Sequence, residues 1–319
     1  MFWTNFLTVS QQVLILFLMM GLGVVLRRTG LLERRVVDGL VDLLLLVVTP
    51  CQIVEAFMRP YDVAAMKGLE WALGLSIASY LVMIVLACLL IRNRDVDTRH
   101  PLRMAAVFSN AGTLAIPLEK ALFGNEGVFY SVIYMAVQNL FIWTWGYGTM
   151  KKSESVEHGR RGRTARLQAI VNPGTIGIAI GLPIFLFSIP LPSVVGEPIH
   201  QIANLNTPLG MIVIGCCLET SGIVRMLRTA SAFLAVVLRL ALCPLLMVLL
   251  IYPFRHRLDS CLMLALVAAA AAPVAATVSM FAVKFNRNVG MSTAIVSGTT
   301  LVSALTMPLA IAFARMVFG

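Results

Sequence analysis

Charge is scarce in this 319-residue chain: Asp, Glu, Lys and Arg together make up 13% of it, about half the share of an ordinary soluble domain. So little charge cannot coat the two water-soluble domains that the length would otherwise predict. With 59% apolar residues, disorder is excluded as well. The six cysteines include no C-x-x-C pair, which argues against zinc and redox frameworks and leaves them as small apolar fillers. Histidine is lacking from the apolar runs. His100, His158, His200 and His256 read as loop residues, so no buried histidine relay is expected. Enzyme signatures are missing too. There is no G-x-x-x-x-G-K-[ST] phosphate loop, and Gly21-x-Gly23 is not continued into a dinucleotide fingerprint. No enzymatic activity, cofactor or metal site is expected. The first 26 residues hold no Lys or Arg, and Arg27 and Arg28 follow the first apolar run. A secretory signal has its charges before that run, so no cleaved signal is expected.

What is present is a succession of long apolar runs. A helix needs about 20 such residues to cross a bilayer. The runs predict ten spans, at roughly 8–27, 36–58, 69–91, 103–122, 127–149, 174–191, 199–219, 229–251, 260–283 and 289–316. The expected fold class is an all-α polytopic membrane protein. The longest connection, 150–173, carries Lys151, Lys152, Arg160, Arg161, Arg163 and Arg166. It divides the chain into five-span units at 1–149 and 174–319.

The net charge of +10 is read as a topology signal rather than as affinity for nucleic acid. With the N-terminus outside the cytoplasm, the inner connections hold 18 Lys and Arg residues and the outer ones 6, with Arg239 inside a span. Positive residues concentrate on the cytoplasmic side. Both termini are therefore expected on the periplasmic or extracellular face, with 150–173 cytoplasmic. Five spans is an odd number, so two similar halves insert in opposite senses, the geometry of inverted-repeat transporters. Thr49-Pro50 and Thr207-Pro208 lie 158 apart, and Pro117 and Pro273 lie 156 apart, nearly equal offsets at matching spans.

The chemistry is expected at spans 4 and 9. Proline lacks an amide hydrogen and clashes with the preceding turn. Pro117 and Pro273 therefore predict broken helices, and irregular backbone at membrane depth is tolerated where it is buried or lines a cavity. Freed amides at a half-helix N-terminus favour an anion. Asn110, Gly112 and Thr113 lie beside the first break, and Thr277 beside the second, after a run of alanines that admits a close neighbour. Gln138 and Asn139 on span 5 are candidate pocket residues or interhelical glue. Gln52, Asn204 and Asn206 read better as interface residues. Thr299, Thr300 and Ser303 read as bonding back to their own helix. Charges in spans cost about 2.5–3.5 kcal/mol each at the centre. Asp42 and Glu55 are the candidate proton carriers, and Arg239 is a candidate charge pair, counter-charge or coupling residue.

At these residues the sequence resembles the auxin efflux carrier family of the bile acid and arsenite transporter superfamily. The resemblance rests on Phe108-Ser-Asn110-Ala-Gly112-Thr-Leu-Ala-Ile-Pro117-Leu, Phe123-Gly124-Asn-Glu-Gly127, Tyr134 and Trp143-Thr-Trp-Gly146. It extends to Asn172-Pro173, Pro208-Leu-Gly-Met-Ile-Val-Ile-Gly215 and Ala272-Pro273. Ala115 departs from it where glycine is frequent. The resemblance implies a scaffold of spans 1, 2, 6 and 7, with a homodimer interface there. It also implies a transport domain of spans 3–5 and 8–10, in which spans 4 and 9 unwind and cross. The family's crossover asparagine falls on Asn110, and its crossover prolines on Pro117 and Pro273. Members move organic anions such as auxin, malate or malonate, and the short central connection is similar to bacterial members, which places the chain in an inner membrane. The expected function is an elevator-type carrier of a small carboxylate in a lipid bilayer. Proton coupling or uniport is the expected mode, with sodium left open. A sensor that keeps the carrier fold without transporting is the alternative, and a channel ranks third.

Overall fold

A computed structural model describes residues 2–151, 173–217 and 229–318. Most of the basic connection, and the segment carrying Arg225 and Arg228, lie outside the described residues. Helix α1 (Phe2–Arg28) is followed by α2 (Arg34–Leu43), a π-turn (Leu44–Val48) and α3 (Thr49–Phe57). Next come α4 (Val63–Leu90), α5 (Val96–Val107), a π-turn (Ala111–Ala115), α6 (Ile116–Phe141), which is kinked at Gly124, a third π-turn (Ile142–Gly146) and α7 (Tyr147–Met150). The second part has α8 (Pro173–Leu186), α9 (Ser193–Asn204), α10 (Asn206–Cys217), α11 (Ala230–Val237), a π-turn (Leu238–Leu242), α12 (Cys243–Ile251) and a 3-10 turn (Tyr252–Arg257). It closes with α13 (Ser260–Ala271), α14 (Thr277–Lys284) and α15 (Val289–Phe318).

Among the described residues, five helical segments are long and apolar enough to cross a membrane: Arg35–Phe57, Val63–Leu90, Ile116–Met150, Ala230–Arg257 and Val289–Phe318. Leu81, Val85 and Leu89 on α4, and Leu245 and Leu249 on α12, are exposed large apolar side chains. Such surfaces suit lipid and not water. The chain is an all-α, multi-spanning integral membrane protein.

Helix starts differ from the apolar runs because capping sets them. The Asp62 carboxylate accepts the Ala65 amide at 3.0 Å, and α4 starts at Val63, six residues before the apolar run. Asp95 accepts the Asp97 amide at 3.0 Å, and α5 starts at Val96. An N-cap satisfies one of the orphan amides of a first turn, so a helix starts at its cap even where the next residues are polar. His100 accordingly lies on α5, and His200 on α9, not in loops. Span 7 is two helices, split at Leu205. Pro208 lacks the amide that would continue the ladder back to Asn204.

Three π-turns end two residues before a proline: Leu44–Val48 before Pro50, Ala111–Ala115 before Pro117, and Leu238–Leu242 before Pro244. The proline ring crowds the carbonyl four residues back. The preceding turn widens to accommodate it, and the helix continues. Pro101 works differently. It leaves the Asp97 carbonyl without its helical donor, and the Asn288 amide takes that carbonyl at 3.1 Å. Arg287 adds an ion pair to Asp97 at 2.6 Å, and the Asn288 side chain donates to Thr98 Oγ1 at 2.8 Å. The start of α5 is thereby joined to the α14–α15 connection.

Helix α1 packs on α10, and α3 packs on α8 and α9. The α1–α10 contact is backbone on backbone. A Cβ at Gly23 would stand 2.1 Å from the Ile212 carbonyl oxygen, and one at Gly215 would stand 2.0 Å from that of Met20. Small residues at membrane helix crossings permit this approach. Gly215→Ala must push the helices apart, and overpacking of this kind costs about 1–3 kcal/mol. We expect a lower thermal midpoint for Gly215→Ala in detergent, whereas Gly74→Ala, which meets nothing within 4 Å, leaves it unchanged.

Candidate functional site

Two helices stop inside the bundle and meet. Pro273 pushes Ala272 out of the helical region, to φ −60° and ψ 148°, and α13 ends at Ala271. On the other side α5 ends at Val107, and Phe108 is extended at φ −98° and ψ 127°. The two extended stretches pair antiparallel through Ser109 and Val274. The Asn110 amide donates to the Pro273 carbonyl at 2.7 Å, and the Ala275 amide to the Phe108 carbonyl at 3.0 Å. Proline can only accept here, and it does.

Each central amide of this crossing is held by a side chain from a long helix. Gln138 Oε1 on α6 accepts from the Ser109 amide at 3.2 Å, from Ser109 Oγ at 2.7 Å and from the Tyr80 hydroxyl at 2.8 Å. Thr299 Oγ1 on α15 accepts from the Val274 amide at 3.2 Å while donating to the Ile295 carbonyl at 2.7 Å. Buried backbone groups must find partners, and these two side chains supply them.

Arg239 sits where the two interrupted helices end. Its side chain is fully buried. One guanidinium nitrogen donates to the Val107 carbonyl at 2.8 Å, and the other terminal nitrogen to the Ala270 carbonyl. A helix C-terminus carries about half a negative charge, so two of them together balance one guanidinium. The crossing therefore has its positive residue at the carbonyl ends of α5 and α13. The helices that follow present their amide ends.

Past the crossing the chain re-enters helix twice. Asn110 precedes the π-turn that contains Gly112, and Ala276 precedes α14. First-turn amides have no partner within their helix. The Thr277 and Ser279 hydroxyls are buried with no hydrogen-bond partner, while Ala276 is exposed and Asn110 and Gly112 are half-buried. The chain thus re-enters helix at a half-buried Asn110 and an exposed Ala276, with two buried hydroxyls just beyond the latter.

The predicted residues fall as follows. Asn110 and Pro273 are in the crossing, Gly112 is one turn beyond it, and Thr277 opens α14. The Thr113 side chain lies outside the described residues. Pro117 is outside the crossing, eight residues past Ser109, and it widens a turn and breaks nothing. The break on this side carries no proline. Gln138 supports the crossing with an oxygen that already accepts three bonds, and Asn139 on the next face is half-buried. Asp42 is exposed on α2. Glu55 is buried on α3, ion-paired with Lys120 at 2.7 Å and with His200 at 2.5 Å. Asn206 donates to Gln52 and Asn204 meets His200 at 3.1 Å, so these side chains serve the α3–α9–α10 contact. Sequence reasoning missed Tyr80, the inward bond of Thr299, and Glu119, a fully buried carboxyl on α6. Beside the α5 start, burial and then the charges of Arg287, Arg99 and Arg103 push the His100 imidazole down to about 4. It stays neutral across the physiological range.

Among the described residues, no group of three or more His, Cys, Asp or Glu side chains could hold a metal ion. In comparison with known proteins, the family described as "Membrane transport protein" matches residues 8–311. No curated protein gives a match.

Proposed function

Because the chain belongs to this membrane transport protein family, as the resemblance to auxin efflux carriers implied, we propose that it is a secondary carrier of a small organic anion. It is a membrane transporter of the auxin efflux carrier and bile acid transporter type, and not an enzyme. The observation that carries the finer reading is the antiparallel crossing of Phe108–Asn110 with Pro273–Ala275. Paired broken helices are the usual setting of a transport site. With Arg239 on the carbonyl ends, the opposite side of the crossing, at Asn110 and Thr277, is the side suited to a carboxylate. Asn110, Gly112 and Thr277 bind it. Gln138, Asn139 and Pro273 shape the site, Thr113 borders it, and Pro117 sets the pitch of the helix that leaves it.

In this reading the ten spans form two inverted five-span repeats, 1–149 and 174–319, joined by the cytoplasmic connection 150–173, with both termini on the outer face of a bacterial inner membrane. Spans 1, 2, 6 and 7 are a dimeric scaffold. Spans 3–5 and 8–10 move as an elevator, carrying the crossing with them. The glycine-mediated contact of α1 with α10 joins two scaffold helices, which favours a rigid scaffold. Auxin-like monocarboxylates and dicarboxylates such as malate or malonate are the substrate class.

The test is uptake of labelled mono- and dicarboxylates into proteoliposomes. We expect saturable flux for at least one carboxylate, lowered about tenfold or more in Asn110→Ala, equivalent to one lost hydrogen bond to a charged group. Folded protein that binds a carboxylate and moves none would replace the carrier reading with a sensor. Flux that does not saturate would replace it with a channel.

A further inference from the structure

Glu119 is the least explained charge-bearing group in the described residues. It is fully buried, and neither carboxyl oxygen has a hydrogen-bond partner. The Ser131 hydroxyl, likewise buried, is the polar side chain that faces it across Gly124. Gly124 adopts φ 66° and ψ −155°, a positive-φ kink between the Glu119 and Ser131 turns of α6.

Among the described residues, no cation is paired with this carboxyl. On its own helix, Lys120 is taken by Glu55 of α3 at 2.7 Å, and Glu126 lies 3.9 Å from Arg59. From α13 the neighbouring titratable group is Cys261, with Asp259 beyond it. From α4, Lys67 and Glu70 are exposed. From α15, Arg315 lies over the Phe123 ring at 5.8 Å. An ionised carboxylate in such a place lacks solvent and a cationic partner, with one hydroxyl beside it, and the desolvation of an unpaired charge is several kcal/mol. A structural acid would have been given a partner, as Glu55 was.

We propose that Glu119 is the proton-binding group of the carrier. This inference deepens the carrier reading and rests on it. The carboxyl holds a proton while it is closed in, as here. When the domain moves and water reaches the Glu119–Ser131 turns, the O–H bond breaks and the proton passes to water. The domain then returns with the carboxylate facing the Ser131 hydroxyl as its donor, and it takes up a proton from water on the first side. One proton moves per cycle, and no other reactant is needed. Asp42, exposed on α2, and Glu55, held by Lys120 and His200, are less suited to the task.

The experiment compares Glu119→Gln and Glu119→Asp with the unmodified protein in proteoliposomes. It uses the carboxylate that gives flux, and reads two rates: exchange of labelled for unlabelled anion, and accumulation driven by a pH gradient. Exchange needs no net proton movement. In Glu119→Gln the ratio of accumulation to exchange falls at least tenfold, and the dependence of flux on pH between 5 and 8 flattens. Glu119→Asp, which retains a carboxyl, recovers part of the ratio. An unchanged ratio in Glu119→Gln overturns the proposal, as does unmodified protein whose accumulation ignores the pH gradient. Both results leave anion transport standing. Absence of all flux would instead defeat the carrier reading. A second readout is the infrared carbonyl band of a buried protonated carboxyl in purified protein. It is expected at pH 7 and lost in Glu119→Gln, and its absence in the unmodified protein overturns the proposal without reference to transport.

Discussion

Replacing Arg239 with methionine is expected to abolish transport and to lower stability by roughly 3–5 kcal/mol, the range for stripping one side of a buried charge pair. Two effects compete. Removing a buried cation relieves its desolvation, which favours the variant. Against this, the substitution leaves the Val107 and Ala270 carbonyls without their donor, and each unsatisfied buried acceptor costs about 1–3 kcal/mol. It also leaves two helix ends, each about −0.5 in charge, pointing at one another with nothing between. The helix ends decide the outcome, because the guanidinium is already balanced by them and gains little from being removed. Arg239→Lys keeps the charge but cannot reach two carbonyls with a planar fork, so it is expected to fall between. Thermal midpoints in detergent and proteoliposome flux measure both effects. A methionine variant with the original midpoint and flux would remove Arg239 from the account.

The second large effect is expected at Gln138. Gln138→Leu leaves three buried donors without an acceptor: the Ser109 amide, the Ser109 hydroxyl and the Tyr80 hydroxyl. At about 1–3 kcal/mol per unsatisfied group, the crossing loses its fixed geometry even if the fold survives. Tyr80→Phe and Ser109→Ala each remove donor and demand together, so each is expected to cost about 1 kcal/mol, the usual net worth of one hydrogen bond. The ordering is the diagnostic. Gln138→Leu should lose more flux and more stability than the two single variants combined. If Tyr80→Phe proves as damaging as Gln138→Leu, then Gln138 is not the acceptor on which the crossing depends.

How much of this was legible in the sequence varies with the range of the interaction. The course of α4 and α15 follows from apolar runs long enough to cross a bilayer. The break at Ala272 follows from Pro273, because a residue before proline avoids the helical region. The matching break at Phe108–Asn110 has no such local signal. It comes from a partner stretch 165 residues away and from Gln138, which no local rule could identify, and Pro117 drew attention to a position where the helix continues. Thr299 does bond back to its own helix as expected, but its oxygen also accepts the Val274 amide, a second use invisible from one segment. Arg239 reads from the sequence as a charge inside a span, which suggests a charged partner, whereas its partners are backbone carbonyls at two helix ends. Glu119 was legible in principle, as a carboxylate two residues after Pro117 in a predicted span, and the motif around it obscured it.

The most direct measurement concerns whether the anion occupies the crossing. Ala276 is exposed beside it and precedes the α14 amides. In a variant with the six native cysteines replaced and Ala276→Cys introduced, an impermeant maleimide should react. Addition of a transported carboxylate at ten times its half-saturating concentration should slow that reaction about tenfold, as simple occupancy requires. Labelling that proceeds at the same rate with and without carboxylate, in protein that still transports it, would contradict the account.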